Sequence, residues 1–248
     1  MMQCNMSDAI HIKGLRKTYR DAEKETLHGI DLVVPKGQFI GILGPNGAGK
    51  TTTINCITGV TSPSEGSITV FGHDTVDEYR LARSFIGVSP QEFNIDIFDT
   101  VDNILDYQAG FFGVTGEKMR KRREEMIAQF ELEPHRKKKF QILSGGLKRR
   151  VVLAKAMMHD PEVLILDEPT AGVDVETRQT LWKFLRDLHA QGKTIILTSH
   201  YLEEVQLLCE RVAIIKDGLI ILDGIMKEVT KHKSLEAIYL EKVDHKII

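Results

Sequence analysis

The chain has 248 residues, 33 basic against 35 acidic, a net charge of −2, and three cysteines, Cys4, Cys56 and Cys209. A chain of this length buries about 70–75% of its unfolded surface and needs no covalent staples, while the charge balance lacks the basic excess that a general nucleic-acid binder uses against phosphates. The cysteines fit neither a disulfide framework nor a metal spacing and point to a reducing compartment. Met1 to Ile10 lacks the apolar stretch of a signal peptide, and no apolar run reaches transmembrane length. The expectation is a cytosolic chain that reaches any membrane through a partner.

In chain order, Ile10 and Ile12 alternate with polar residues, and Ile30 to Val34 runs into Pro35-Lys36-Gly37, so two strands joined by turns are expected. Phe39 to Leu43 is a short apolar run of the kind a strand buried on both faces carries. A helix is expected after Lys50, with Ile54 and Ile57 inward and Gly59 at its C-terminal cap. Gly66 to Phe71 and Phe85 to Val88 are further strand candidates. From Asp96 to His159 helical signals take over: Val101, Ile104 and Leu105 share one face, and Arg120–Glu124 and Lys121–Glu125 lie at i,i+4 spacing. The basic runs Arg120 to Arg123 and Arg136 to Lys139 read first as solvated helix and loop faces, with anionic lipid headgroups as the alternative.

Strands and helices then alternate again. Val163 to Leu166 is a strand, Asp174 caps a helix that turns Leu181, Phe184, Leu185 and Leu188 inward and ends near Gly192, and Thr194 to Leu197 is another strand. Asp217-Gly218 between Val212–Ile215 and Leu219–Leu222 is a hairpin signal. Residues beyond Gly224 carry no clear pattern. The alternation implies an α/β fold: a mainly parallel sheet with helices on both faces and antiparallel strands before and after it.

Two phosphate cradles stand out. Gly44-Pro45-Asn46-Gly47-Ala48-Gly49-Lys50-Thr51 has the spacing that wraps backbone N–H groups around α- and β-phosphates, with Lys50 reaching the β- and γ-phosphates and the Thr51 hydroxyl available to Mg²⁺. Thr52 follows in the first helical turn, whose positive end faces the phosphates. Asp167 ends a buried strand and is expected to hold Mg²⁺ through water. Glu168 is the candidate general base for an attacking water. His200 ends the next strand at the same sheet edge, where it is either a structural histidine or a contact to the γ-phosphate. The second cradle is Leu143-Ser144-Gly145-Gly146 before a basic helix. Ser144, Gly145 and Gly146 fit both an ordinary capped helix and an anion site. One nucleotide seated on Lys50 does not need this second helix terminus, but a symmetric dimer would use it.

Gly44 to Thr51, Leu143 to Gly146, Leu164-Ile165-Leu166-Asp167-Glu168-Pro169-Thr170, Ala171-Gly172-Val173-Asp174 and Thr198-Ser199-His200 together resemble the nucleotide-binding subunit of ATP-binding cassette (ABC) transporters. The resemblance runs from about Ile10 to Gly224. It implies a P-loop NTPase (RecA-like) fold in a single ABC domain spanning 1–248. Within it, 8–95 and 160–224 would form the nucleotide-binding core with its antiparallel β-subdomain, 96–159 an inserted α-helical lobe with the signature motif, and 225–248 a short tail. It also implies ATP with Mg²⁺, two ATP molecules sandwiched in a head-to-tail dimer (a homodimer being expected), an integral membrane permease subunit as partner, and a peripheral place on the cytoplasmic face of the inner membrane.

By the same resemblance Gln91 contacts Mg²⁺ and borders the permease groove, Tyr19 stacks on adenine or is an edge-strand tyrosine, and Asp174 belongs to the loop that crosses the dimer interface. Leu147 stands where the signature usually has glutamine, which removes an amide contact to ribose. Leu147-Lys148-Arg149-Arg150 and Tyr201 to Val205 resemble the ABC-2 exporter branch, which includes daunorubicin-resistance-type and polysaccharide exporters. The chain also ends before the long C-terminal regulatory domain of many sugar importers. The alternative of another class is a soluble ABC ATPase in DNA repair or translation. Repair members insert a long coiled coil between the cradles and translation members usually carry two cassettes, and neither pattern is present in this sequence. A P-loop kinase would have no use for the second cradle.

Overall fold

The computed structural model describes residues 8–20, 22 and 24–243. Two sheets carry the fold. The first is antiparallel, in the order β2-β1-β4-β5, built from β1 (Asp8–Lys17), β2 (Leu27–Pro35), β4 (Glu65–Val70) and β5 (His73–Asp74). Its alternating pattern turns Ile10, Ile12, Ile30, Leu32, Ile68 and Val70 into one apolar cluster.

The second sheet has the order β10-β9-β3-β8-β7-β6. Its strands β3 (Phe39–Leu43), β6 (Ile86–Ser89), β7 (Val163–Asp167), β8 (Thr194–Thr198) and β9 (Arg211–Lys216) pair in parallel, and β10 (Leu219–Ile225) closes the edge antiparallel to β9. Every residue of β3, β7 and β8 is buried, as sequences such as Phe-Ile-Gly-Ile-Leu require when helices cover both faces. At the β9–β10 turn Asp217 and Gly218 both take positive φ, 47° and 73°, the geometry of a tight hairpin.

Helices α1 (Lys50–Ile57), α2 (Tyr79–Ser84), α6 (Val175–Ala190) and α7 (Leu202–Leu208) pack on the core, and α3 (Val101–Phe111), α4 (Gly116–Gln129) and α5 (Gly145–Ala156) form the lobe. In α6, Trp182 is buried beside Leu181, Leu185 and Leu188, while Phe184 lies half-buried against the same cluster. Thr100 caps α3 through Asn103 N–H and Asp174 caps α6 through Thr177 N–H, so both long helices start on a side-chain acceptor.

Three expectations are corrected. The segment after Gly224 is not patternless: α8 (Met226–Val229) and α9 (Leu235–Val243) follow, with Met226, Leu235 and Ile238 buried against the main core. Their apolar stripe is short and interrupted by lysines and glutamates, which hides its period. The i,i+4 pairs on α4 give way to other partners. Glu124 binds Arg136 at 2.7 Å and Glu125 binds Arg122 at 3.1 Å. The basic runs are also not simply solvated, because Asp102, 3% exposed, draws Arg136 and Lys137 to 3.2 and 2.9 Å, and Arg123 pairs with Asp106 at 2.5 Å. Loop and helix arginines are thus used to neutralise acids inside the lobe.

Candidate functional site

Because β3, β8, β7 and β6 are parallel neighbours, their carboxyl ends open on one edge, where ligands of α/β sheets bind. The loop after β3 is the first cradle, β7 ends in Asp167, β8 leads to His200, and β6 leads to Gln91. A cavity of about 610 Å³ lies at this edge, lined by residues that include Asn46, Gly47, Gly49, Lys50, Thr51, Thr52, Gln91, Glu168 and His200. That volume suits a nucleotide-sized ligand.

The cradle is shaped by its glycines. Gly49 has φ 108°, a backbone conformation that strains any L side chain, and a Cβ there would also press on Leu27 Cδ2 at 2.5 Å, so glycine is favoured where the loop meets β2. Gly49 caps α1 without a side-chain acceptor, which leaves the first N–H groups of the helix free for an anion. Lys50 is 7% exposed, and its Nζ donates to the carbonyls of Gly44 at 2.7 Å and Pro45 at 3.0 Å. Burial pulls its ammonium below the usual lysine range, against the pull of the Glu168 and Asp167 charges. The two acceptors it bonds are neutral carbonyls, and phosphate oxygens are better acceptors.

The acids are placed differently. Asp167 is 7% exposed; its Oδ1 accepts from the Thr198 hydroxyl at 2.5 Å and its Oδ2 from the Thr51 hydroxyl at 3.4 Å. Glu168 has a left-handed backbone, φ 49°, and its N–H donates to the Thr198 carbonyl at 3.1 Å. That turn sends its carboxylate toward the cavity, where Oε2 meets His200 Nδ1 at 3.0 Å and Gln91 Nε2 at 3.4 Å. Tyr19 is partly exposed beside α1, and its hydroxyl donates to Thr52 Oγ1 at 3.4 Å.

The second cradle does not line this cavity. Ser144 caps α5 by accepting from Leu147 N–H at 3.4 Å and is exposed together with Gly145. A Cβ on Gly146 would meet Thr177 Cγ2 at 2.7 Å, so the glycine lets α5 start against the first turn of α6, which Asp174 caps.

A scan of protein families matches residues 27–171 to the ABC transporter family. The chain belongs to that family. This ABC cassette is 42% identical over 215 residues to a Nod factor export ATP-binding protein I of Burkholderia pseudomallei, covering 87% of the cassette and 70% of the relative. It is 38% identical over 224 residues to the protein of that name from Ralstonia nicotianae, covering 90% and 69%. Among solved structures it is similar to a dimeric, post-hydrolysis ATP-binding cassette bound to ADP and Pi, with TM-score 0.80, 29% identity, and coverage of 88% and 98%. It is also similar to cbiO1 of Clostridium perfringens, part of the ABC transporter complex cbiONQ, with TM-score 0.82, 29% identity, and coverage of 96% and 97%. The cassette is therefore an ATPase subunit, of a kind that works as a dimer with a membrane transporter component. Among the described residues no helix is long and apolar enough to cross a membrane.

Sequence reasoning missed the supports of this ABC site. Glu204 is wholly buried and accepts from the Ser199 hydroxyl at 2.7 Å, Trp182 Nε1 at 2.9 Å and the Thr170 hydroxyl at 3.1 Å, which ties the His200 loop to the segment after Glu168. Burial pushes its carboxyl up, and the three donors oppose that. The only signal for this role is an acid four residues after His200, which reads equally as a solvated helix residue.

Proposed function

We propose that the cassette energises a membrane exporter by closing two copies on two ATP molecules and reopening after hydrolysis at Glu168. The observation that carries this is the division of phosphate ligands. Lys50, Thr51, Glu168, Gln91 and His200 converge on one cavity, while Ser144-Gly145-Gly146 presents free helix N–H groups elsewhere on the same chain. A head-to-tail pair satisfies both surfaces, because each second cradle covers the γ-phosphate on the other chain's Lys50.

In this reading Lys50 exchanges the Gly44 and Pro45 carbonyls for β- and γ-phosphate oxygens, and the loop from Gly44 to Thr52 holds the phosphates through the backbone N–H groups that follow Pro45. Tyr19 stacks on adenine. Glu168 accepts the proton of the attacking water, and His200 and Gln91 hold its carboxylate and register the γ-phosphate. The hydroxyl of Thr51, the Asp167 carboxylate and the Gln91 amide oxygen form a hard-oxygen set that suits Mg²⁺, which takes one or two carboxylates plus substrate phosphates. When bound, the ion neutralises phosphate charge.

In the same reading the permease docks at a second cavity of about 600 Å³ between the core and the lobe, lined in part by Val60, Val88, Pro90, Gln108, Phe112 and Lys155, and the cavity supports that reading. Val60 in its lining is exposed, and the lobe also exposes Phe98, Tyr107 and Phe111. The groove adjoins Gln91, so closure of the ATP site moves the permease. The reading has the cassette work on the cytoplasmic face of the inner membrane. Export is favoured by the relatives named for export at about 40% identity. The test is transport by vesicles carrying the cassette with its permease, with ATP supplied on the cassette's side. Cargo should move away from the cassette, and uptake toward it would overturn the direction.

A further inference from the structure

The basic run Leu147-Lys148-Arg149-Arg150 follows the second cradle, and the nucleotide needs none of its cations. Arg149 does not face solvent. It is 2% exposed and is among the largest fully buried side chains of the described residues. Its Nη1 donates to the Pro90 carbonyl at 2.8 Å, and its Nη2 to the Glu168 carbonyl at 3.1 Å and the Gln91 carbonyl at 3.4 Å. The guanidinium also lies 5.3 Å from the Phe93 ring centroid. One side chain of α5 thus grips the backbone of both segments that supply the carboxylate and the amide at the catalytic edge.

The grip on Glu168 closes a clamp. Its N–H is held by Thr198 and its carbonyl by Arg149, around a backbone with φ 49° that a non-glycine residue adopts only when its surroundings hold it there. Burial pulls the guanidinium down from its ordinary value, while the charges of Asp167, Glu204 and Glu168 work the other way. A cation held by carbonyl dipoles is a costly way to fill a core, since an apolar side chain of similar volume commonly packs as well. The planar fork of an arginine does what an ammonium cannot, because it spans three carbonyls on two segments at fixed spacing.

We infer that Arg149 is a positioning residue that links the second cradle to the first catalytic edge within one chain, so that a phosphate from the partner seated on Ser144 is felt, through α5, at Glu168 and the Gln91 loop. This rests on the dimer reading above. Ser144 caps α5 and Arg149 lies on it, so a shift of that helix on engaging the partner's nucleotide carries the Pro90, Gln91 and Glu168 carbonyls with it. The base at each site is then aligned only when its own chain has closed on the other site.

The test uses the full chain with its membrane partner and two variants. Arg149→Lys keeps the buried charge but reaches fewer carbonyls, and Arg149→Met keeps length and packing without donors. Both should lower kcat about 10- to 100-fold, the scale of a misplacement near 1 Å. KM for ATP and nucleotide affinity of the isolated chain should stay within about twofold, because no contact of the first cradle changes. If the Met variant does not fold, the Lys variant carries the test. Either folded variant keeping kcat within twofold, a Lys variant that restores what Met loses, or a loss of affinity matching the loss of kcat would overturn the inference. Failure of the dimer reading itself is seen separately, as a parent cassette that never pairs with ATP.

Discussion

Replacing Glu168 by Gln changes one atom and removes one charge. The acceptor Oε1 can still meet His200 Nδ1, now 3.0 Å from Oε2, and the backbone clamp on Thr198 does not involve the side chain. The folded state should therefore stay within about 1 kcal/mol of the parent, since only a partly exposed charged hydrogen bond is weakened. Binding of ATP should be unchanged or tighter, because in the proposed arrangement the lost carboxylate faces the γ-phosphate and repels it. What disappears is the proton acceptor, a role worth about 10²–10⁴ in rate. That corresponds to about 3–5 kcal/mol in the barrier. Single-turnover hydrolysis with saturating ATP and Mg²⁺ measures this step apart from product release. A first-order constant within threefold of the parent would remove Glu168 as the base and leave its pairing with His200 a structural one.

Two more expectations follow from the same geometry. Among the described residues Lys50 is the one lysine or arginine that lines the cavity, so in Lys50→Ala ATP affinity measured by titration calorimetry should fall by about 2–5 kcal/mol, roughly 30-fold or more, and an unchanged Kd would contradict the cradle assignment. His159 stacks on Phe112 at 3.6 Å and bonds the Ile86 carbonyl at 3.0 Å, and burial pushes its imidazole down to about 4, against the pull of that carbonyl. The folded state then binds fewer protons than the unfolded chain below about pH 6.5. Stability from this group should be complete above that value and fall as pH drops toward 4. Thermal unfolding of His159→Phe between pH 7 and pH 4.5 should show a smaller acid loss than the parent, and parallel curves would refute the assignment.

Much of the core was legible because its rules are local. Phe39 to Leu43, Val163 to Leu166 and Thr194 to Leu197 are apolar without alternation, and each proved to be a strand with both faces covered. Asp217-Gly218 announced its turn because few residues take positive φ in succession. The gathering of Lys50, Asp167, Glu168, His200 and Gln91 follows once the strands are parallel neighbours, since each residue ends or follows one of them. What stayed hidden depends on contacts distant in sequence. Arg149 reads as one more cation of a basic helix until the Pro90 and Glu168 carbonyls are folded onto it. Glu204 reads as a solvated acid until Trp182, Thr170 and Ser199 surround it. Asp102 drew no notice, yet its burial is what gathers Arg136 and Lys137. In α9, Leu235 and Ile238 are too few to announce a helix face before α7 and the core receive them.

In the proposed dimer Ser144-Gly145-Gly146 completes the ATP site of a second copy. The most direct measurement is the molar mass of the Glu168→Gln chain by light scattering, with and without ATP, compared with the same chain carrying Ser144→Arg as well. Ser144 is exposed and lies outside the nucleotide cavity, so the added arginine should leave ATP binding to the single chain intact. The expected result is a mass that doubles with ATP in Glu168→Gln and stays monomeric in the double variant at equal nucleotide occupancy. A double variant that still doubles in mass with ATP would contradict the claim and return the second cradle to an ordinary capped helix.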